Sequence, residues 1–108
     1  EGHHYVSWDK PDGDPNKTFN LIGMDAFAKL KAGTILKVYY STEPSAEYHQ
    51  MQLMTGWWTL LPRTQKMDVN GNGSYTYTLT QEALDLIQAQ SGFQLGGHGF
   101  YVDRVTVQ

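Results

Sequence analysis

Residues 74–80 read SYTYTLT, a heptapeptide in which large side chains alternate with small hydroxyl side chains. Successive side chains of an extended strand point to opposite faces, so Tyr75, Tyr77 and Leu79 would share one face. Such alternation is typical of an antiparallel strand that has one buried and one solvated face. The stretch therefore predicts that the chain folds as a β-sheet protein.

The same strand chemistry recurs on both sides of this heptapeptide. Segments rich in Val, Ile, Thr, Tyr and Phe are bounded by turn residues, which is the pattern of short antiparallel strands. The further strands are predicted at 3–8, 18–22, 34–41, 47–54, 57–61, 93–96 and 100–107. Eight short strands predict an all-β antiparallel β-sandwich. The predicted core residues are Tyr75, Tyr77, Leu79, Leu36, Val38, Phe19, Leu21, Met51 and Leu53.

Helical spacing interrupts the strands in two places. Thr80 is a good N-cap residue, and Ala83, Leu84 and Ile87 would lie on one face of a helix that ends before Gly92. This segment is predicted to be a short helix that crosses the sandwich. A further helical turn or two is indicated by the three-residue spacing of Met24, Phe27 and Leu30.

The composition is that of one small folded domain with few charges. The chain has 108 residues, 40% hydrophobic and 18% charged, which is enough for one core. Its net charge of −3 argues against nucleic-acid binding, because that requires a basic surface. No apolar run approaches the roughly 20 residues of a membrane span, and there is no cysteine. We expect residues 1–108 to be a single module excised from a larger protein, because the chain opens abruptly at Glu1-Gly2.

Catalysis and metal binding have little support in the residue pattern. There is no nucleophile motif and no evident carboxylate pair, and the four histidines form no zinc motif. The stretch 68–73, DVNGNG, opens like an EF-hand loop, but Leu79 occupies the position of the required glutamate. A tight hairpin turn is the simpler interpretation. We predict no catalytic residue and no cofactor, although the Asp-rich loop 9–14 leaves a weak structural calcium site open.

The segment EYHQMQLMTGWW carries an unusual strand face. Tyr48, Gln50 and Gln52 would point to the same side, and together they form neither an apolar core face nor a charged surface. A glutamine amide both donates and accepts, so it can bind neighbouring sugar hydroxyls without burying a charge. Aromatic rings beside such amides provide flat surfaces for the C–H face of a pyranose. The pattern predicts binding of a neutral polysaccharide chain that lies across the sheet.

Two adjacent tryptophans, Trp57 and Trp58, follow this strand face. Because neighbouring strand residues point to opposite sides, we expect one indole to be packed and the other exposed. On the opposite face, His49 lies in line with Met51 and Leu53, which favours a hydrogen-bonded core histidine. The same aromatic residues would also suit the hot spot of a protein-interaction or adhesion sandwich, and this remains the alternative function.

Three longer segments carry a family resemblance: LKAGTILKVYYS at 30–41, YHQMQLMTGWWTLLP at 48–62, and residues 75–108. The last segment runs from a threonine through an acidic helix, a glycine and an apolar strand to a Gly-x-Gly and an alternating final strand. Together the segments resemble the β-sandwich carbohydrate-binding modules appended to extracellular polysaccharide-degrading enzymes of gut and rumen bacteria. The chain departs from them at Gly96, where a glutamine often precedes the Gly-x-Gly. The resemblance implies a non-catalytic module with a jelly-roll fold.

The resemblance also extends the candidate site. It places the strand of Gln94 in the same sheet as the amide face, so Gln94 would continue that face. Trp8 would form the wall at one end, either Trp57 or Trp58 the wall at the other, and His98 would lie nearby. The resemblance places Trp58 at a packing position, which leaves Trp57 as the favoured exposed ring.

The predicted function is binding of a β-linked plant glucan such as cellulose, mixed-linkage β-glucan or xyloglucan. The predicted module is a monomer, secreted or located at the surface of a bacterium, and covalently linked to a glycoside hydrolase that it targets to the polysaccharide. No nucleic-acid or membrane partner is expected.

Overall fold

The structure is a computed structural model that describes residues 3–20 and 22–108. The described residues form seven strands and two short helices. In chain order these are β1 (His4–Val6), α1 (Met24–Ala28), β2 (Ile35–Thr42), β3 (Gln50–Thr55), β4 (Met67–Asp68), β5 (Gly73–Thr78), α2 (Gln81–Ala89), β6 (Phe93–His98) and β7 (Phe100–Val107). The prediction of an all-β antiparallel β-sandwich is confirmed, with seven strands instead of about eight.

The strands form two antiparallel sheets. The four-stranded sheet has the order β1-β7-β2-β5, and the three-stranded sheet has the order β4-β3-β6. The segment predicted as a strand at 18–22 makes only a single bridge, in which Phe19 pairs with Leu95 of β6. That bridge still matters for the site, because it places residues 18–20 along the outer edge of β6.

The core lies between the two sheets and contains most of the residues predicted for it. Of the nine, six are buried: Leu36, Val38, Met51, Leu53, Tyr77 and Leu79. Phe19 and Tyr75 are partly buried and pack against these residues, while Leu21 lies outside the described part of the chain. Period-two alternation therefore identified the inner faces of both sheets.

Both helical segments occur where the spacing indicated them. Helix α2 begins after Thr80, whose side chain accepts a hydrogen bond from the backbone N–H of Ala83 at 3.1 Å. Such a cap stabilises a helix by about 1 kcal/mol. Three residues bury the inner face of α2, namely Ala83, Leu84 and Ile87. In α1, Phe27 is buried and its ring lies 5.2 Å from that of Phe93.

The prediction of a strand at 57–61 is wrong. The chain turns tightly after β3: Thr55 N–H donates to the Thr59 carbonyl at 2.8 Å, and Trp58 N–H donates to the Thr55 carbonyl at 3.0 Å. Trp58 adopts a left-handed backbone conformation, with φ of 68°. The Thr55 hydroxyl accepts further bonds from the N–H groups of Trp57 and Thr59. These local hydrogen bonds outweigh the strand preference of the two aromatic residues.

The loop 68–73 is a turn, but it is not the turn of a hairpin. Strand β4 before it belongs to the three-stranded sheet, whereas β5 after it belongs to the four-stranded sheet. The loop therefore carries the chain from one sheet to the other. Gly71 has a φ of 65°, and its N–H donates to the Thr42 hydroxyl at 3.0 Å.

Candidate functional site

Three aromatic rings meet on the outer face of the three-stranded sheet. The rings of Tyr48 and His98 stack with centroids 4.4 Å apart and an interplanar angle of 28°. Trp8 lies 6.4 Å from His98 at 25°, and its indole N–H donates to the Tyr48 hydroxyl at 2.9 Å. Tyr48 is 41% exposed, while His98 beneath it is only 8% exposed. We call these three residues the aromatic cluster.

Two glycines allow His98 to lie under Tyr48. A Cβ atom on Gly97 would come within 1.9 Å of the Gln50 carbonyl oxygen, so only glycine permits this approach of β6 to β3. Gly99 has a φ of 72°, and its Cβ would lie 2.6 Å from the Tyr48 carbonyl oxygen. The Gly-x-Gly of the sequence therefore fixes the position of the histidine between its two glycines.

Hydrogen bonds from the start of the chain hold the cluster in place. His98 Nδ1 and the Ser7 hydroxyl share a hydrogen bond of 2.9 Å, and Asp9 Oδ2 lies 3.4 Å from the same nitrogen. The backbone N–H of Trp8 donates to the Gly97 carbonyl at 2.8 Å. Trp8 is thus attached to the end of β6, although it follows β1 in the other sheet. The ammonium of Lys66 lies 5.5 Å from the Trp8 ring centroid.

An amide row continues the face along β3. Gln50 pairs with His98 and Gln52 with Gly96, and cross-strand partners share a face of the sheet. Both side chains are half-buried. Gln50 donates to Asp68 at 3.3 Å, and the Gln52 amide lies 2.9 Å from a thioether sulfur. We call Gln50 and Gln52 the amide row.

Gly96 makes room for a residue that the sequence pattern did not assign to this face. The sulfur that contacts Gln52 belongs to Met54, which is fully buried although it follows Gln50 and Gln52 in alternation. A Cβ atom on Gly96 would lie 2.4 Å from the Met54 methyl carbon. Glycine at position 96 thus leaves space for Met54, whose sulfur contacts the Gln52 side chain.

Gln94 lies on the predicted face, but it is not an exposed residue. It pairs with Met54 across the sheet, is 5% exposed, and donates its amide N–H to the Thr55 carbonyl at 3.0 Å. It lines a cleft together with Trp58 and the loop 12–20. The segment 18–20 pairs with the outer edge of β6 and extends the sheet beside Gln94.

The expectation that one tryptophan is packed is wrong. Trp57 is 62% exposed and Trp58 is 44% exposed, because both belong to a turn and not to a strand. Trp58 borders the cleft beside Gln94. The Trp57 indole instead donates to the Ser91 hydroxyl at 3.1 Å, just beyond α2. The structure thus brings Trp58 to the candidate face and leaves Trp57 beside the helix.

The remaining predictions on histidines and metals concern other parts of the chain. His49 is hydrogen-bonded as expected, with Nε2 2.7 Å from the Glu43 carbonyl oxygen, but it is half-buried before the start of β3 and is not a core residue. In the Asp-rich loop, Asp12 pairs with Lys17 at 3.2 Å. Within residues 3–20 and 22–108 no three His, Cys, Asp or Glu side chains are grouped so that they could hold a metal ion. No helix of the described chain is long and apolar enough to span a membrane.

Comparison with solved structures relates this fold to that of a glycan-binding protein. The chain is similar to part of a Bacteroides ovatus surface glycan-binding protein, SGBP-B of the mixed-linkage glucan utilization locus, solved in complex with a mixed-linkage heptasaccharide. The similarity covers 99% of this chain with 64% identity and a TM-score of 0.95. It confirms the resemblance to carbohydrate-binding β-sandwich modules. The chain spans only 27% of the length of that protein. No protein-family model matches the chain, and no curated protein matches it significantly.

Proposed function

We propose that the module binds a β-linked glucan chain, without catalysis, on the outer face of the three-stranded sheet. The observation that carries this proposal is the aromatic cluster of Trp8, Tyr48 and His98 directly beside the amide row of Gln50 and Gln52. Together they provide an apolar platform and neutral hydrogen-bonding groups on one surface. A pyranose ring has an apolar C–H face that can stack on such a platform and hydroxyl groups that can bond to such amides.

Each part of the face has a separate role in this proposal. The exposed Tyr48 ring and the Trp8 indole stack on the C–H face of a sugar, while His98 backs them and keeps their planes fixed. Gln50 and Gln52 exchange hydrogen bonds with equatorial hydroxyls without the cost of desolvating a charge. Since the rings contact each other before a ligand arrives, little side-chain entropy is lost on binding.

Among plant glucans we propose mixed-linkage β-glucan as the ligand, ahead of cellulose and xyloglucan. The support is the 64% identity to a protein that was solved with a mixed-linkage heptasaccharide. Of the predicted site residues we retain Trp8, Tyr48, Gln50, Gln52, Trp58, Gln94 and His98. We leave out Trp57, because its indole N–H is bound to Ser91 beside α2.

The same comparison supports a proposal for the setting of the module. We propose that it belongs to a longer, modular glycan-binding protein at the bacterial surface, since the chain matches about a quarter of such a protein. Binding by one small module serves to hold a polysaccharide near the cell. The covalently linked glycoside hydrolase and the monomeric state remain predictions from the sequence.

Titration calorimetry with soluble glucans tests the proposal. We expect a mixed-linkage oligosaccharide to bind with a Kd in the micromolar to millimolar range, about −8 to −4 kcal/mol, as for a shallow site with few rings. Xyloglucan and cello-oligosaccharides are measured in parallel, together with a pull-down on insoluble cellulose. Absence of binding to all of these β-glucans would contradict the proposal and favour the protein-interaction alternative.

A further inference from the structure

The cleft between Trp58 and the loop 12–20 has a volume of about 420 Å³. It lies at the end of the outer face that is remote from the aromatic cluster, with Gln94 among its lining residues. We propose that this cleft is a second sugar subsite, which takes a neutral pyranose unit of a glucan chain whose other end contacts the aromatic cluster. This inference rests on the proposed function and adds a specific dependence on the length of the ligand.

The strand register explains why the cleft is polar and faces the same way as the amide row. Phe19 pairs with Leu95, and both side chains point into the sandwich. By alternation, Thr18 and Asn20 point outward on the same side as Gln94. All three line the cleft. Residues 18–20 therefore act as one more strand row on one edge of β6, while β3 pairs with its other edge and leads into the turn that carries Trp58.

The loop that forms the outer side of the cleft is held by hydrogen bonds of its own. His4 Nε2 lies 2.8 Å from the Pro15 carbonyl oxygen. The Lys17 ammonium donates to the Lys10 carbonyl at 2.9 Å and pairs with Asp12 at 3.2 Å. This lysine and this aspartate offset each other, and Asp14 leaves the lining with a net negative charge, which disfavours an anionic ligand and is compatible with a neutral sugar. A loop fixed in this way also loses little entropy when a ligand binds.

Gln94 supplies the observation that points to a hydroxyl ligand. The residue is only 5% exposed, and its side-chain amide N–H donates to the Thr55 carbonyl at 3.0 Å. Its carbonyl oxygen makes no hydrogen bond to the part of the chain that the structure describes. A half-satisfied amide that lines a cleft is an acceptor already fixed in direction. A sugar hydroxyl above it would satisfy that acceptor, and the Trp58 ring would stack on the same sugar.

The spacing of the two subsites sets the ligand length. Gln94 and His98 are four residues apart on β6, which corresponds to roughly 13 Å along a strand. A single pyranose cannot contact both, so only an oligosaccharide of several units would reach from the aromatic cluster into the cleft. A short oligosaccharide would occupy the three-ring cluster and leave the cleft empty.

Calorimetry with a β-linked glucose disaccharide, which is too short to span the two subsites, and with a mixed-linkage heptasaccharide tests the subsite. We expect Trp58→Ala to weaken heptasaccharide binding about tenfold, as for loss of one stacked ring, and disaccharide binding less than twofold. Asn20→Ala is the second variant, since it removes only an exposed loop side chain that lines the cleft. It should cause a smaller loss with the same length dependence. Trp57→Ala is the matched control and should leave both affinities unchanged.

The outcomes separate this inference from the proposed function. Binding of both oligosaccharides by the unmodified chain, with a loss in Trp58→Ala confined to the longer one, supports the subsite. Equal losses for both lengths, or no loss at all in Trp58→Ala and Asn20→Ala, overturn it while the proposed function stands. Failure of the unmodified chain to bind either oligosaccharide overturns the proposed function first. Melting curves of all three variants check that the fold is retained.

Discussion

The outer faces of the two sheets both carry aromatic rings, but they surround those rings with different chemistry. On the four-stranded sheet, the His3 ring stacks on Tyr101 at 3.7 Å, and the Tyr101 hydroxyl donates to the Glu43 carboxylate. Nearby, Lys37 and Arg104 lie 5.0 Å and 5.4 Å from the centre of one further ring, that of Tyr39. On the three-stranded sheet, the rings of the aromatic cluster lie beside uncharged glutamines.

This difference in neighbouring groups indicates which of the two outer faces is open to a ligand. Charged groups lie near rings on both faces, since Lys66 is 5.5 Å from the Trp8 ring, so the feature particular to the three-stranded sheet is the amide row beside the exposed Tyr48 ring. The amide row has weak partners within the described chain: Gln50 donates to Asp68 at 3.3 Å, and the Gln52 amide contacts the Met54 sulfur. An aromatic count alone would not distinguish the two faces, whereas the identity of the neighbouring groups does.

The largest expected effect is the loss of Trp8. Trp8→Ala removes one ring of the aromatic cluster and the hydrogen bond that orients Tyr48. We expect it to weaken glucan binding by about 2 kcal/mol or more, as for a central interface tryptophan. Calorimetry with a mixed-linkage oligosaccharide measures this change, and a melting curve checks the fold.

The matched control for Trp8→Ala is Tyr39→Ala on the other outer face. It removes a partly exposed ring that the protein's own Lys37 and Arg104 contact. We expect a stability loss of about 0.5–1 kcal/mol from the cation–π contacts and no change in glucan affinity. A loss of affinity in Tyr39→Ala that equals the loss in Trp8→Ala would show that the comparison of the two faces assigns the site wrongly.

A smaller effect is expected from the amide row. Gln50→Ala and Gln52→Ala should each weaken binding by on the order of 1 kcal/mol, the value of a neutral hydrogen bond, without unfolding the protein. Gln52 should show the cleaner effect, since Gln50 also donates to Asp68 and its loss changes that contact. Calorimetry on the two single variants provides the test. Unchanged affinity in both would restrict the site to the aromatic rings.

Most of the fold could be predicted from the sequence, because alternation in a strand reports directly which side chains are buried. The core residues of β2, β3 and β5, the Thr80 cap and the position of α2 all follow from local patterns. The prediction of a strand at 57–61 was wrong, because the aromatic residues of this segment favour a strand while the Thr55 hydroxyl and Gly56 favour a turn. Propensity alone cannot weigh those hydrogen bonds, which depend on where β3 ends.

The residue types of the candidate site could be predicted from the sequence, but the long-range contacts that assemble the site could not. Tyr48, Gln50 and Gln52 share a face because of alternation within one segment. The contact of Trp8 with Tyr48 joins residues 40 positions apart, and nothing local in the sequence encodes it. The cleft beside Gln94 was missed for the same reason, since its second side comes from a loop that pairs with β6 over a long separation.

A still smaller effect should come from salt. A neutral glucan on a face whose contacts are amides and rings has no ion pair to screen, so binding should change less than about twofold between 0.05 and 0.5 M NaCl. The charges beside the face that could alter this are Asp68 next to Gln50, Asp9 next to His98 and Lys66 next to the Trp8 ring. Calorimetry at the two salt concentrations checks it. A tenfold loss at high salt would indicate an ionic contribution to the ligand or to the site.

The smallest expected effect is on pH dependence, and it arises on the four-stranded sheet. Hydrogen bonds from the Tyr101 hydroxyl and then from Ser45 lower the pKa of Glu43 from 4.5 to about 2. Because the folded-state pKa is depressed, the stabilisation is complete above pH 4.5 and is lost as the pH falls through about 2. Tyr101→Phe removes the largest cause, so the pKa of Glu43 should rise towards its ordinary value and this loss of stability should shrink. An NMR titration of the Glu43 carboxyl group in both proteins measures the shift, and unfolding by urea at pH 6 and pH 2.5 measures its effect on stability.

Glucan affinity at neutral pH should be the same in Tyr101→Phe and the unmodified chain, since this carboxylate lies on the face that has no proposed ligand. An unchanged Glu43 pKa in Tyr101→Phe would mean that the hydroxyl is not what holds the carboxylate ionised.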